Sequence, residues 1–458
     1  MISTTGLPAD IVNLIQANAL EREFHENLFP RLLYRSEAMA ERWDAHIGER
    51  KVFTRPGLMA RVTTPLTPGA DPLPQTFSYE QWIAEASQYG SSIDTHIPTS
   101  QVSLASTFLR NIAELGKQAG LSLNGLARNA LYKAYLGGNT VTTVSALAGA
   151  TSLRVASLNG FLDNILNARP SPVSSLNPLA ITFSTAEPAN TVVGASPDDP
   201  NAPTGPGTIA LGAALVGPVA ARVGVVAANR SLITRVGGAA TVDGLTSANI
   251  LTLQDVINTL AVMQANNVGP TPDGYYHVHL TPEGVAQIFA DPVFQRLYQS
   301  LPESAAYREF GIGQLLGCRF YRNVENPSIN TVGATVSTGA SALCAPEIGA
   351  EVRNNTGAGI AIRRAIVVGG GTLYEQYLDE MAFVTDAGVT GKIGEFSVVN
   401  GGVQVMTDRI RLILRAPLDR LQQIVSSSWS WSGDFVVPSD ALTGSAARYK
   451  RAMVIEHG

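Results

Sequence analysis

The sequence predicts an α+β fold, with helices over a mixed sheet. Three observations predict it. Residues 98–137 repeat apolar side chains every three or four positions, the period of a helix with one buried stripe. From Gly394 onward, short runs alternate apolar and polar residues: GEFSVV, GVQVM, RIRLILRAP, QQIVSSSWSWSGDFVV and RYKRAMVI. Between these regions, strand-like and helix-like stretches are interleaved, with Thr281-Pro282 and Asp291-Pro292 each placing an N-cap residue before a first-turn proline.

In chain order, residues 9–24 predict a short helix. A mixed-charge segment follows, with Glu and Arg among Leu28, Phe29, Leu32, Leu33, Tyr34 and Trp43. It reads equally as a solvated helix face or as an arm that lies on neighbouring subunits. Residues 51–97 carry prolines at 56, 65, 68, 72 and 74, which forbid a helix and permit a long edge hairpin with its turn near Pro68–Pro72. A hairpin of that length has little core and needs another surface to rest on.

The long helix comes next, with Leu104, Phe108, Ile112, Leu115, Ala119, Leu123, Leu126 and Ala130 as its stripe and Thr99 or Ser100 as its cap. Unbroken over 99–136 it would be a rod of roughly 55 Å. Gly116, Gly120 and Gly125 inside it predict a bend or a close contact. From Pro170 to Asn229 the only charged residues are Glu187, Asp198, Asp199 and Arg222, and short apolar runs predict a small β-rich insertion. After Leu251 the sequence predicts a helix with Leu253, Val256, Leu260 and Met263 inward, a strand at 274–280, two short helices, and strands around 315–324 and 362–370. TLYEQYLDEM, from Thr372, predicts a further helix.

The chain of 458 residues is 45% hydrophobic and 15% charged, with a net charge of −5. Low charge without any apolar run of about 18 residues points to surface hidden by assembly, not by a membrane. The net charge excludes a global basic field for nucleic acid. Lysine occurs only at 51, 117, 133, 392 and 450, and the remaining basic residues are arginine, which suits carboxylate pairing at protein contacts. Cys318 and Cys344 fit no metal motif or disulfide framework, consistent with a reducing cytoplasm. No basic-then-apolar secretory segment opens the chain.

Candidate chemistry is sparse. His277 and His279 share one face of a strand and could hold a metal, but no third ligand accompanies them. Residues 366–372, with Gly369, Gly370, Gly371 and Thr372, read as strand, glycines and helix start, a possible phosphate cradle without the spacing of a nucleotide fingerprint. The serines at 426–428, 430 and 432 have no histidine nearby. No catalytic residue, cofactor-binding residue or metal site is assigned, and the chain is not expected to be an enzyme.

The segment PDGYYHVHLTPEGVAQIFADPVFQRLYQSLPESAAYREFGIGQLLGCRFYRNVENP resembles major capsid proteins of tailed double-stranded DNA bacteriophages. IRRAIVVGGGTLYEQYL resembles a second strand–helix unit of the same domain, and RAPLDRLQQIVSSSWSWSGDFVV its closing strands. The resemblance implies the Hong Kong ninety-seven, or Johnson, capsid fold. It implies an N-terminal arm at 1–53, an extended loop at 54–96, the spine helix of the peripheral domain at 97–154, an inserted β-rich domain at 155–245, an axial domain at 246–402, and C-terminal strands returning to the peripheral domain at 403–458.

The implied function is a structural one. Hexamers and pentamers would tile an icosahedral head around double-stranded DNA, which the shell contacts weakly and without sequence preference. Partners would be a separate scaffolding protein, a portal and, in some members, decoration proteins; assembly would occur in the bacterial cytoplasm and the product would be the virion. With no lysine between 54 and 96, no lysine–asparagine crosslink from the extended loop is expected. With Met1 present, shedding of an N-terminal scaffolding segment is not expected either. The rivals are an encapsulin-like compartment, a nucleotide-binding enzyme built on 366–372, and a tubular structural protein.

Overall fold

The computed structural model describes residues 9–16, 18–28, 33–43, 48–56, 59, 61–65, 69, 71–72, 74–77, 79–98, 107–166, 169–200, 203–299, 313–330, 361–381, 391–393, 395–399, 402–415, 420–421, 423–439 and 449–458. The chain divides into two compact units, one of residues 1–51, 83–128 and 373–436, the other of 52–82, 129–372 and 437–458.

The first unit is built on an eight-stranded sheet. Its strands run in the order Ala38–Trp43, Leu373–Leu378, Ile424–Val436, Ile410–Arg415, Gly402–Thr407, Phe396–Val399 and Gly391–Ile393, and Ser87–His96 also pairs with Ile424–Val436. Only the first pair is parallel. Alternation sets the register: Ile410, Leu412 and Leu414 are buried, while Arg411 and Ile413 between them are half-buried.

The long helix spans Thr107–Tyr135, about 43 Å at 1.5 Å per residue; its expected start at 99–106 lies outside the described residues. Its buried stripe is Phe108, Ile112, Leu115, Ala119 and Leu123, as the spacing predicts, then Ala127 and Leu131 instead of Leu126 and Ala130. The stripe shifts by one residue because Asn124 and Arg128, both buried, take the same face. Asn124 Oδ1 accepts from the backbone N–H of Tyr34 at 2.9 Å and of Arg35 at 3.2 Å, so the helix holds the N-terminal segment. That segment forms two helices, Ala9–Gln16 and Ala19–Leu28, where the sequence predicts one. Gly116 marks a close contact: a Cβ there would lie 2.7 Å from the Phe24 carbonyl oxygen.

The second unit holds two large sheets and a two-stranded ribbon, Asp163–Leu166 with Arg169–Pro172. Six antiparallel strands run in the order Asn139–Val141, Gly224–Ala227, Leu179–Phe183, Asn190–Pro197, Gly207–Leu211 and Ser152–Val155. A bridge between Thr142 and Val155, with Ala156 N–H donating to Val141 O at 2.9 Å, joins the last strand to the first. The sheet closes on itself around Leu153, Phe161, Ile181, Val192, Ile209 and Val225, which removes its edges. The insertion expected at 155–245 therefore draws strands from before 155 as well.

The other sheet has seven strands: Ile233–Arg235, Ala452–His457, Ala361–Val368, Tyr276–Leu280, Cys318–Arg322 and Gln314–Leu315, with Ser328–Asn330 also on Ala361–Val368. Helices Leu253–Ala265, Pro282–Ala290 and Pro292–Gln299 follow the predicted pattern. Thr281 caps the second through Gly284 N–H, and Asp291 accepts from Val293 N–H at 2.9 Å. Their apolar residues form one core with the sheet, including Leu253, Val256, Leu260 and Met263.

Three expectations are corrected. Thr372–Met381 is not a helix: Leu373–Leu378 is a strand between Ala38–Trp43 and Ile424–Val436. The strand is viable because its buried Glu375 meets Arg35 and Arg409 there. Residues 373–399 accordingly join the eight-stranded sheet, although the expected axial segment runs to 402. Of residues 403–458, the strand Ala452–His457 leaves the others and pairs with Ala361–Val368 over six residues. All six of its residues are buried, which an inner strand allows. The polar region expected at 326–361 lies mostly outside the described residues, as does Cys344.

Candidate assembly surfaces

One two-stranded ribbon stands outside the large sheets. Strands Arg50–Pro56 and Tyr79–Glu85 pair only with each other among the described residues. One patch of the ribbon is well organised. Phe53 and Trp82 stack at 5.7 Å, and the Arg55 guanidinium lies 5.8 Å from the Trp82 ring centre. Arg55 Nη2 donates to Glu80 Oε2 at 2.6 Å and to the Ser439 carbonyl at 3.1 Å, fixing a carboxylate that is 1% exposed. Three apolar side chains of the ribbon are bare: Val52 is 54% exposed, Tyr79 52% and Ile83 48%. Met59, Val62 and Phe77, between the strands in sequence, are exposed too. Apolar side chains on a ribbon with open edges create a demand for a covering surface.

The mixed-charge N-terminal segment is anchored on one ion cluster. Arg35 Nη2 donates to Glu375 Oε1 at 2.8 Å, and Arg35 Nη1 to Asp408 Oδ2 at 2.8 Å. Arg409 Nη1 reaches Glu375 Oε2 at 3.0 Å. A second buried carboxylate, Glu380, takes Arg411 Nε at 2.7 Å and the hydroxyls of Ser430 and Ser432 at 2.5 and 2.6 Å. Several of the arginines thus pair buried carboxylates inside the chain. Sequence separation hides these partners, since hundreds of residues lie between Arg35 and Glu375.

The residues singled out for chemistry fall in three places. His277 and His279 do share a face, both against Tyr321 at 5.2 and 5.3 Å. His277 Nε2 lies 2.8 Å from Asp273 Oδ2 and 3.2 Å from Thr271 Oγ1. The Asp273 carboxyl is held well below the usual carboxylate range, first by the Thr271 hydroxyl and then by His277. Among the described residues, no three His, Cys, Asp or Glu side chains gather as metal ligands. Cys318 is buried, and burial pushes its thiol up to about 11, away from reactivity.

Gly369–Thr372 ends a strand and no helix follows, so the dipole a phosphate cradle needs is missing. Its backbone is already committed: Gly369 N–H donates to Arg451 O and Gly370 N–H to Gly269 O, both at 2.9 Å. A Cβ at Gly370 would lie 2.5 Å from the Pro270 oxygen, so close packing explains that glycine. The serines of Ile424–Val436 serve the sheet and Glu380. Among the described residues, no helix is long and apolar enough to cross a membrane.

No family model matches the chain, and no curated protein does. Solved structures do. The capsid asymmetric unit of cyanophage Pam1 aligns at a TM-score of 0.50 and 11% identity, covering 92% of this chain and 89% of that one. The chain has a phage capsid fold. The capsid of Ralstonia phage GP4 aligns at 0.46 and 12% identity, covering 94% and 90%. That of cyanophage P-SCSP1u aligns at 0.46 and 10%, covering 93% and 88%.

Proposed function

We propose that this chain is the major capsid protein of a tailed double-stranded DNA phage, forming hexamers and pentamers that close into an icosahedral head. The ribbon at 50–85 carries the reading. In a capsid fold, an element with bare apolar side chains and open edges finds its covering surface on an adjacent subunit. Such contacts are heterologous and close into rings. On this reading the N-terminal arm is residues 1–53 and the extended loop 54–96. The long helix and the eight-stranded sheet make the peripheral domain. The closed sheet of 139–227 is the insertion, and the seven-stranded sheet with its three helices is the axial domain.

The role is mechanical, with weak, sequence-independent contact to packaged DNA at a net charge of −5. A separate scaffolding protein and a portal complete the assembly in the host cytoplasm, and the virion is its destination. Light scattering on the purified protein tests the reading. Species of five or six times 48.3 kDa, or larger shells, support it. A monomer that stays monomeric with or without a scaffolding protein contradicts it.

A further inference from the structure

Loops at a protein surface are usually polar. At one end of the closed sheet they are not. Three loops meet there, residues 142–151, 184–189 and 212–223. Val144 is 53% exposed, Leu147 79% and Val216 74%. Pro188 and Pro218 beside them are exposed as well. Arg222 is the one exposed residue of the three loops that carries a charge. Glu187 is half-buried and its carboxylate is committed: Oε1 accepts from Val216 N–H at 2.6 Å and Oε2 from Gly217 N–H at 2.8 Å. Asp243, from outside the loops, takes the Ser184 hydroxyl at 2.7 Å where one of them begins.

The backbone beneath these side chains is fixed. Ala146 and Val219 exchange backbone hydrogen bonds at 2.8 and 2.9 Å. Gly149 N–H donates to Leu215 O at 2.8 Å, and Leu215 N–H to Ala150 O at 3.0 Å. The Asn190 side chain accepts from Ala213 N–H at 3.1 Å and donates to its carbonyl at 2.8 Å. Single exposed apolar residues are ordinary, but a cluster on ordered loops marks a surface to be covered. Its fixed backbone means that docking orders little that is not already ordered.

We propose that this end of the closed sheet docks on the same end of a second copy of the chain, across a symmetry axis. Charge decides the occupant. Identical surfaces that face each other bring like residues together, so a charged end would repel itself. Here Val144, Leu147 and Val216 meet their own counterparts, and a charged partner would find little to read. The inference rests on the shell reading for its supply of copies. Head-to-tail contacts of the ribbon close rings, and joining rings into a shell takes a second contact of this self-facing kind.

Crosslinking of the purified full chain tests this. Leu147→Cys is combined with Cys344→Ser, which leaves the buried Cys318 as the other thiol. Leu421→Cys is the control at equal concentration, since Leu421 is 74% exposed in the other unit. With a flexible bismaleimide, Leu147→Cys should give covalent dimers at least about tenfold faster than the control, because contact raises the local thiol concentration. Leu147→Asp with Val216→Asp should keep Tm within about 2 °C of wild type, while rings form without joining into shells. Equal dimer rates for Leu147→Cys and the control, with or without shells, overturn the contact. So do normal shells from the doubly charged variant. So does a Leu147→Cys thiol that shells protect from maleimide without dimers forming, which assigns the surface to a different protein. A chain that builds no rings yet gives the fast dimers contradicts the shell reading and keeps the contact.

Discussion

Lowering the pH from 7 to 4 will weaken this fold through His457. The residue is 0% exposed on the strand Ala452–His457, and its Nε2 has no hydrogen-bond partner. Burial pushes its imidazole from 6.5 down to about 4, and the charge of Arg363 pushes the same way against the opposing bond to Gly458. Between those values an unfolded chain takes up a proton that the folded chain refuses. The contribution is therefore complete above 6.5 and is lost as the pH falls through 6.5 towards 4. At about 1.4 kcal/mol for each tenfold in proton affinity, the loss is about 3 kcal/mol. Chemical denaturation of the wild type and of His457→Asn, each at pH 7 and pH 4, isolates it, because carboxylates common to both cancel. The wild-type advantage over the variant should shrink by about 3 kcal/mol across that range. Parallel pH profiles for the two proteins would refute the assignment of a buried neutral imidazole.

Three further outcomes follow from the same structure. Arg35→Met leaves Glu375 buried with Arg409 as its remaining arginine and should cost about 3 kcal/mol in chemical denaturation; adding Glu375→Gln should recover part of that loss. Ile83→Glu, at a side chain 48% exposed on the ribbon, should leave monomer stability within about 0.5 kcal/mol yet abolish assembly, read by denaturation and sedimentation together. Mature particles boiled in detergent should run as one band at 48.3 kDa, because residues 54–96 offer no lysine for a crosslink; ladders above it would contradict this.

What could be read in the sequence was what local chemistry decides. Thr281-Pro282 and Asp291-Pro292 announce helices because capping is settled within four residues. The Phe108–Leu123 stripe announces the long helix because its period is intrinsic. The strand at 373–378 was not legible. Tyr374 and Tyr377 stand three apart as on a helix, and Glu375 looks like a solvent residue until Arg35 and Arg409 arrive beside it. Nor does Ala452–His457 carry any local mark of which sheet it enters, since partner choice lies in Ala361–Val368. Arginine preference suggested pairing between subunits; part of it is spent on Glu375, Glu380 and Glu456 within the chain. The candidate ribbon was legible as a hairpin from its prolines, but its bare face at Val52, Tyr79 and Ile83 required the fold.

Electron microscopy of the protein, expressed alone and with a candidate scaffolding protein or purified from particles, decides whether it builds a shell. Closed icosahedral shells built of five- and six-membered rings, with the ribbon of each chain lying on an adjacent subunit, are the expected result. Shells in which the ribbon touches only its own chain, or a preparation containing only monomers, would contradict it.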